Sequence, residues 1–355
     1  MDVRKRFIAA LGDSKVIAGL GIGLAGALAF FQLNLPLPWF LGSLTACMIA
    51  AVLNVPFSTP GALSIPARIV LGVAVGTAFS PAIIGQAPKM VMSLLMLVPW
   101  MLAIMWLGPM FFQRVAGFDK PTAFFASVPG GLNDMVAMSE EAGGNARAVT
   151  LIQATRIMLI VFAVPFWLQW YEGFDVVGRS VTGRVWLRDL RVFDAVLLIA
   201  VGWFGWWAAQ RFNIAAAAIV GPMILSGLVH ALGLTSAQIP FEVLTAAQVV
   251  LGIILGAQFR GLTFEEFRTT MTWGLLFSAL LIVVSGLLTL LIVRLTGFSP
   301  HPVLLAFAPG GQAELNLLAY VLNLDVAFVA LHHLVRLAIV IFGAQWVFRR
   351  MTSGK

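Results

Sequence analysis

The chain has 355 residues, of which 60% are hydrophobic and only 10% are charged, and its formal net charge is +7. About a quarter of the residues in a soluble protein are charged, so this composition excludes a soluble enzyme and a disordered chain. The single cysteine, Cys47, excludes a disulfide scaffold. The chain is therefore predicted to be an all-α polytopic membrane protein embedded in a lipid bilayer. Its basic residues indicate cytoplasmic loops, where Lys and Arg set orientation.

Apolar runs recur along the whole chain. A helix needs roughly 20 apolar residues to cross about 30 Å of hydrocarbon, and these runs are of about that length. None alternates as a strand does, so helices are predicted rather than a barrel. The sequence predicts about 10 to 12 transmembrane helices. The runs lie at about 15–31, 38–54, 67–85, 90–113, 121–139, 146–170, 193–211, 214–232, 242–259, 273–296, 301–322 and 326–348.

The two ends and the middle of the chain carry basic residues outside these runs. Residues 1–14 contain a basic stretch, and the first run lacks a small-residue cleavage site, so we predict a retained span with a cytoplasmic N-terminus. Two arginines likewise predict that residues 349–355 are cytoplasmic. Residues 171–192 form a basic linker that is too short to be a domain.

An internal duplication relates the two halves of the chain. A shift of 180 residues aligns residues 126–131 (ASVPGG) with residues 306–311 (AFAPGG), and it also aligns the arginines at 156 and 336. Several matches in one register indicate a repeat. We therefore predict two homologous copies, residues 15–170 and residues 193–348, joined by the linker. Duplicated helical units with matching Gly/Pro breaks are typical of secondary transporters.

The Pro-Gly-Gly motifs decide whether the copies are parallel or inverted. If each motif turns back as a re-entrant loop, each copy crosses the membrane five times and the copies are inverted. If each motif instead lies in a segment that crosses the membrane, each copy has six crossings and the copies are parallel. This topology keeps the linker arginines in the cytoplasm. A central Pro-Gly-Gly is poor in a straight helix. On balance, the sequence favours inverted copies.

Two arginines lie deep in apolar runs. Arg156 and Arg336 are each ten residues into their run, which places them about 15 Å deep. A charge at that depth is costly, so its default interpretation is functional. Asp134 and Glu314 follow the two breaks and are the natural partners of these arginines. The pairs could instead be structural ion pairs that fix helix packing.

The candidate substrate-binding residues share the two breaks and the helices after them. A broken helix frees backbone amides, and the helix that restarts points its positive end at the gap. We expect a polar cavity between the copies. Its predicted residues are Pro129, Gly130, Gly131, Asn133, Asp134, Gln153, Arg156, Pro309, Gly310, Gly311, Gln312, Glu314, Asn316, His333 and Arg336. The glycines at 72, 76, 252 and 256 are predicted to be helix contacts instead.

The duplicated Pro-Gly-Gly segments with the downstream Arg156 and Arg336 resemble the AbrB family of bacterial inner-membrane proteins. This is the membrane type with an internal duplication, unrelated to the small DNA-binding regulator of the same name. The resemblance covers residues 15–348 and implies a location in the bacterial inner membrane. Family labels include regulation of gene expression and ammonia monooxygenase, and the layout looks like that of two-repeat transporters.

Three functions follow as hypotheses. The first is a non-enzymatic secondary transporter, without a cofactor, that carries a small anionic solute such as a carboxylate with a coupling proton or sodium ion. The second is indirect regulation of gene expression, because no segment forms a basic folded module for direct nucleic-acid binding. The third, a membrane monooxygenase, is disfavoured because the few histidines and the lone cysteine do not form a ligand cluster. A homodimer is left open.

Overall fold

A computed structural model describes residues 13–81, 87–173 and 185–352. These residues form helices joined by short loops, and no strand occurs among them. The basic N-terminal stretch and part of the linker lie outside the described residues. In chain order the described α-helices of eight or more residues are α1 (Ser14–Gln32), α2 (Ser43–Val52), α3 (Gly61–Gly76), α4 (Ala87–Arg114), α5 (Lys120–Ser127), α6 (Leu132–Glu141), α7 (Ala146–Trp170), α8 (Val192–Arg211), α9 (Ala217–Ala231), α10 (Phe241–Gly256), α11 (Thr272–Thr296), α12 (Pro300–Phe307), α13 (Gln312–Val321) and α14 (Val326–Thr352).

The long helices have the dimensions of membrane spans. Within the described ranges, seven helical stretches are long and apolar enough to cross a bilayer, and they contain α1, α4, α7, α8, α10, α11 and α14. Three further apolar helices are shorter: α3, α9, and α2 together with the π-helical turn Pro38–Gly42 that precedes it. The prediction of an all-α polytopic membrane protein is confirmed.

The chain divides into two compact units, and each unit draws on both sequence copies. We call them the glycine unit, in which close glycine contacts join helices, and the break unit, which contains both Pro-Gly-Gly breaks. The glycine unit comprises Met1–Pro81, Phe162–Leu262 and Tyr320–Asn323. The break unit comprises Ala82–Val161, Thr263–Ala319 and Leu324–Lys355. The compact units therefore differ from the sequence copies, because equivalent segments of the two copies pack with each other.

Glycines bring backbones into direct contact within the glycine unit. Gly26 on α1 and Gly42 in the π-helical turn lie so close that a Cβ on either one would overlap the carbonyl oxygen of the other. Gly205 on α8 and Gly221 on α9 make the same reciprocal contact in the second copy. Because glycine has no side chain, the backbones of neighbouring membrane helices can approach this closely. One packing solution is thus used twice.

The third helix of each copy packs against the other copy. Gly72 on α3 lies against the carbonyl oxygen of Ile219 on α9, and Gly252 on α10 lies against the carbonyl oxygen of Phe40. On each helix the next glycine, one turn later, makes a similar close contact. The predicted role of these glycines as helix contacts is confirmed, and the contacts they make join the two copies.

Left-handed backbone residues also recur in both halves. Asn34 and Asn213, which follow α1 and α8, both have φ of 51°. Gly117 and Gly297, which follow α4 and α11, have φ of 75° and 73°. A positive φ is uncommon outside glycine, so its recurrence at a spacing of 179 or 180 residues is what a duplicated unit predicts.

Candidate functional site

Each Pro-Gly-Gly motif separates two short helices. In the first copy, α5 ends at Ser127 and α6 begins at Leu132, with an extended backbone at Val128 and Gly131 between them. In the second copy, α12 ends at Phe307 with an extended Ala308, and α13 begins after the same interval. The sequence therefore located both breaks correctly. Proline and glycine interrupt the helical hydrogen bonds, which leaves a set of backbone groups to be satisfied by other means.

Both breaks belong to the break unit, and the long helix α7 of the first copy borders the second break. A Cβ built on Gly310 would meet Ile160 at 3.4 Å, and one built on Gly311 would meet Ile157 at the same distance. These isoleucines flank the turn of α7 that follows Arg156. The second break of the chain therefore packs against the helix that carries the first buried arginine.

Arg156 and Gln153 bind the backbone at the end of α5. The Arg156 guanidinium donates to the carbonyl oxygen of Ser127 at 3.2 Å and also to the side-chain oxygen of Gln153. The Gln153 amide donates to the carbonyl oxygens of Phe125 at 2.8 Å and Val128 at 2.9 Å. Together these two side chains bind the carbonyl groups that the break removes from helical bonding.

Arg336 and His333 likewise bind backbone carbonyl oxygens at the end of α12. The Arg336 guanidinium donates to the carbonyl oxygens of Ala308 at 2.9 Å and Gly310 at 2.8 Å. The Nε2 atom of His333 lies 3.2 Å from the carbonyl oxygen of Leu305. Leu305 and Phe125 occupy equivalent positions in the two copies, as do His333 and Gln153. The two copies therefore satisfy equivalent backbone carbonyl oxygens with different side chains.

These contacts explain why the chain keeps two arginines inside apolar helices. Arg156 is 1% exposed and Arg336 is 5% exposed, and each lies at the negative C-terminal end of a short helix, where a cation is favoured. The sequence predicted both as substrate ligands. In the structure their guanidinium groups bind the chain's own carbonyls, and a direct role in binding substrate stays a prediction.

The two acidic residues occupy the opposite side of each break. Asp134 and Glu314 are the third residues of α6 and α13, and their carboxylates fold back over Gly131 and Gly311, where a Cβ would collide with a carboxylate oxygen. A carboxylate in the first turn is stabilised by the positive end of the helix. Glu314 also interacts electrostatically with Arg336. Each break thus carries a cation at one helix end and an anion at the other.

Three buried N–H groups of the predicted site have no hydrogen-bond partner within the described parts of the chain. They are Nε of Arg156, Nε2 of Gln312 and Nδ2 of Asn316. A buried donor without an acceptor is costly, so unsatisfied donors in a native structure call for an explanation. Because all three atoms are donors, they are suited to a ligand that only accepts hydrogen bonds, such as an anion.

The remaining predicted residues lie at the two breaks or in the first turn of α6. Pro129 and Pro309 are buried, and Gly130 lies against the side chain of Met135. Asn133 is exposed. These residues shape the breaks, and their predicted contact with substrate stays a prediction.

Sequence reasoning missed the polar contacts that α4 and α11 make with α12 and α14. Trp100 and Ser285 both donate to the carbonyl oxygen of Phe307, at 3.2 Å and 3.1 Å. Ser93 lies 2.8 Å from Nε2 of His332. Serine and tryptophan are common in membrane helices, so nothing in their local sequence distinguished these residues.

Comparison with known proteins agrees with the architecture. The sequence model of the family described as "Transition state regulatory protein AbrB" matches residues 39–352. The Bacillus subtilis protein named "Uncharacterized protein YhjN" is 26% identical over 345 residues, covering 91% of this chain and 89% of that protein. The Escherichia coli protein named "Putative regulator AbrB" is 24% identical over 334 residues, covering 93% and 86%. With its apolar helices and this match along most of its length, the chain belongs to the AbrB family and is of the membrane type.

Proposed function

We propose that the protein is a secondary transporter of a small anionic solute, most simply a carboxylate, and that it is not an enzyme. The observation that carries this proposal is the presence of both broken helices, both buried arginines and both acids in one compact unit. Broken helices in matching positions of two copies are the arrangement that transporters use to bind solutes at mid-membrane depth. A substrate bound between the copies would meet both breaks.

The chemistry of the site supports an anion. The unpartnered N–H groups of Gln312, Asn316 and Arg156 can donate to carboxylate oxygens. The positive ends of α6 and α13 also face the breaks. A coupling proton or sodium ion would balance the charge. In this mechanism the break unit, which holds both breaks, moves as one body and exposes the site alternately to each side of the membrane.

Gln312→Leu tests the substrate class at a side chain whose amide nitrogen has no protein partner to lose among the described residues. Leucine is the residue at the equivalent position of the first copy, Leu132, and the Gln312 amide nitrogen has no partner among the described residues. A hydrogen bond to a charged group contributes about 1.5–3 kcal/mol, so we expect about a 10- to 150-fold loss of carboxylate affinity. Uptake of labelled acetate, succinate and citrate into proteoliposomes, with glucose and methylammonium alongside, is the measurement.

The exposed Gln238→Leu variant in the glycine unit is the matched control and should keep wild-type uptake. Uptake of glucose or methylammonium, but of no carboxylate, would contradict the proposal. The Escherichia coli relative is named as a regulator, and a changed solute pool would alter gene expression indirectly. A reporter response that persists in a Gln312→Leu variant lacking transport would favour regulation by itself.

We also propose that the protein lies in the bacterial inner membrane with both termini in the cytoplasm and with inverted copies. Five crossings per copy then place the linker on the outer side. A cysteine introduced at the exposed Arg188, in a chain whose Cys47 is replaced by alanine, should react in intact cells with a reagent that does not cross membranes. Labelling only after the cells are opened would instead indicate parallel copies.

A further inference from the structure

His333 faces a hydrogen-bond acceptor at each ring nitrogen. Its Nδ1 atom lies 3.0 Å from Oδ1 of Asn316, and its Nε2 atom lies 3.2 Å from the carbonyl oxygen of Leu305. A neutral imidazole has one N–H donor and one acceptor nitrogen, whereas the protonated ring donates from both. The observed arrangement therefore satisfies both contacts only when His333 is protonated. The neighbouring His332 differs, because its Nε2 atom faces the hydroxyl group of Ser93, which can act as donor or acceptor, instead of a second carbonyl or amide oxygen.

Asn316 links this ring to the unpartnered donors. The side chain is fully buried, with one end of its amide at His333 and its Nδ2 atom without a partner in the described ranges. If His333 is neutral, the amide must turn so that its NH2 group donates to Nδ1. The amide oxygen then replaces NH2 at the unpartnered position. The protonation state of His333 thus decides whether Asn316 presents a donor or an acceptor there.

The unpartnered end of Asn316 does not stand alone. Gln312 lies four residues earlier on α13, so the two side chains share one helical face, and its buried Nε2 atom also has no partner among the described residues. The first copy has Leu132 and Val136 at these positions. Two amide donors on one face fit an anion, and only the second copy offers this pair.

Charge balance couples the two ligands. Arg336 and His332 on α14 and the Leu305 carbonyl on α12 act directly on His333. Arg336 in turn interacts electrostatically with Glu314 on α13 and with Arg156 on α7. A second positive charge beside Arg336 is costly in an apolar environment unless an anion accompanies it. We propose that His333 binds a proton and Asn316 with Gln312 binds a carboxylate, so that one proton and one anion enter this site together. This inference rests on the proposed transport function and names its coupling ion.

His333→Gln is the sharpest test, because glutamine occupies the equivalent position in the first copy and bonds the equivalent carbonyl. Binding of acetate, succinate and citrate to the purified full chain is measured by calorimetry between about pH 5 and pH 8, in buffers of different ionisation enthalpy. For the wild type we expect about one proton taken up per anion, and affinity that falls about tenfold per pH unit above the pKa of the ring. The His333→Gln variant should bind without proton uptake and without this pH dependence.

Two control variants separate this site from other histidines. His301→Gln changes a partly buried histidine at the start of α12. His230→Gln changes a ring in the glycine unit that also faces two carbonyl oxygens. Both should keep the wild-type pH dependence. Asn316→Val, which installs the residue of the first copy, should lose at least tenfold in affinity at every pH and should lose the proton uptake.

Carboxylate binding without proton uptake in the wild type, or proton uptake that survives in His333→Gln, would overturn this inference and leave the proposed function standing. If no carboxylate binds at any pH, both fail. Equal thermal stability of the wild type and His333→Gln would show that the altered pH profile does not come from misfolding.

Discussion

Replacing Arg336 with leucine is expected to destabilise the break unit by about 3–5 kcal/mol, the range for breaking a buried charge pair by removing one partner. The side chain is buried, and it donates to the carbonyl oxygens of Ala308 and Gly310. The substitution leaves these two acceptors unsatisfied and removes the cation that interacts with Glu314. For a unit of this size, the melting temperature should fall on the order of 10 °C.

Thermal unfolding of the purified protein in detergent measures this effect. Arg294→Leu, which removes an exposed arginine of α11, is the matched control and should melt close to the wild type. Arg336→Lys keeps the charge but loses the planar fork that reaches two carbonyls, so it should be intermediate. Adding Glu314→Gln to Arg336→Leu should recover part of the loss. Equal melting of Arg336→Leu and Arg294→Leu would show that the carbonyl contacts contribute nothing to stability.

Replacing Gly26 with valine is expected to prevent the glycine unit from packing as observed. A Cβ at this position would overlap the Gly42 carbonyl oxygen and the Ala46 side chain. A backbone atom cannot move aside as the end of a flexible side chain can, so α1 must separate from the segment that follows it. Overpacking typically costs about 1–3 kcal/mol and occasionally more, and a clash with backbone belongs at the upper end.

Gly21→Val provides the comparison on the same helix, because a Cβ there meets no atom within 4 Å. Both variants carry the same change in helix propensity, so the difference between their melting temperatures isolates the contact with Gly42. We expect the Gly26 variant to melt at least several degrees lower. If the two variants have the same melting temperature, the close contact with Gly42 does not contribute to stability.

The two predictions concern different kinds of stabilisation in the two units. In the glycine unit, backbones approach directly and dispersion contacts hold the helices together. In the break unit, helices are interrupted, and buried polar side chains replace the missing helical bonds. A solute site needs the second kind, since its polar groups can exchange a protein partner for a ligand.

Local sequence was sufficient to locate the helices and their breaks. Apolar composition requires a membrane environment, and backbone groups in lipid must be satisfied within helices. Proline followed by two glycines disfavours a continuous helix, so the positions of both breaks could be predicted without coordinates. The depth of Arg156 and Arg336 follows from the rise per residue alone.

The partners of those arginines could not be read from the sequence. Arg156 and the Ser127 carbonyl that it binds are 29 residues apart, and helix periodicity says nothing about which carbonyl a distant side chain reaches. The sequence predicts pairing with Asp134 and Glu314, and Glu314 does interact electrostatically with Arg336. In the structure the guanidinium groups bind the C-terminal ends of the short helices, and the carboxylates fold over the N-terminal ends.

The sequence by itself determined the membrane class, the helices and the positions of the two breaks, because composition, periodicity and proline–glycine chemistry act over a few residues. The tertiary structure alone decided how the copies combine into compact units and which polar atoms remain for a ligand. Gln153 and Asn316 were equal candidates by sequence. Packing gives the Gln153 amide nitrogen two carbonyl partners and leaves the Asn316 amide nitrogen without one among the described residues. That difference depends on contacts between distant segments, which only the folded chain specifies.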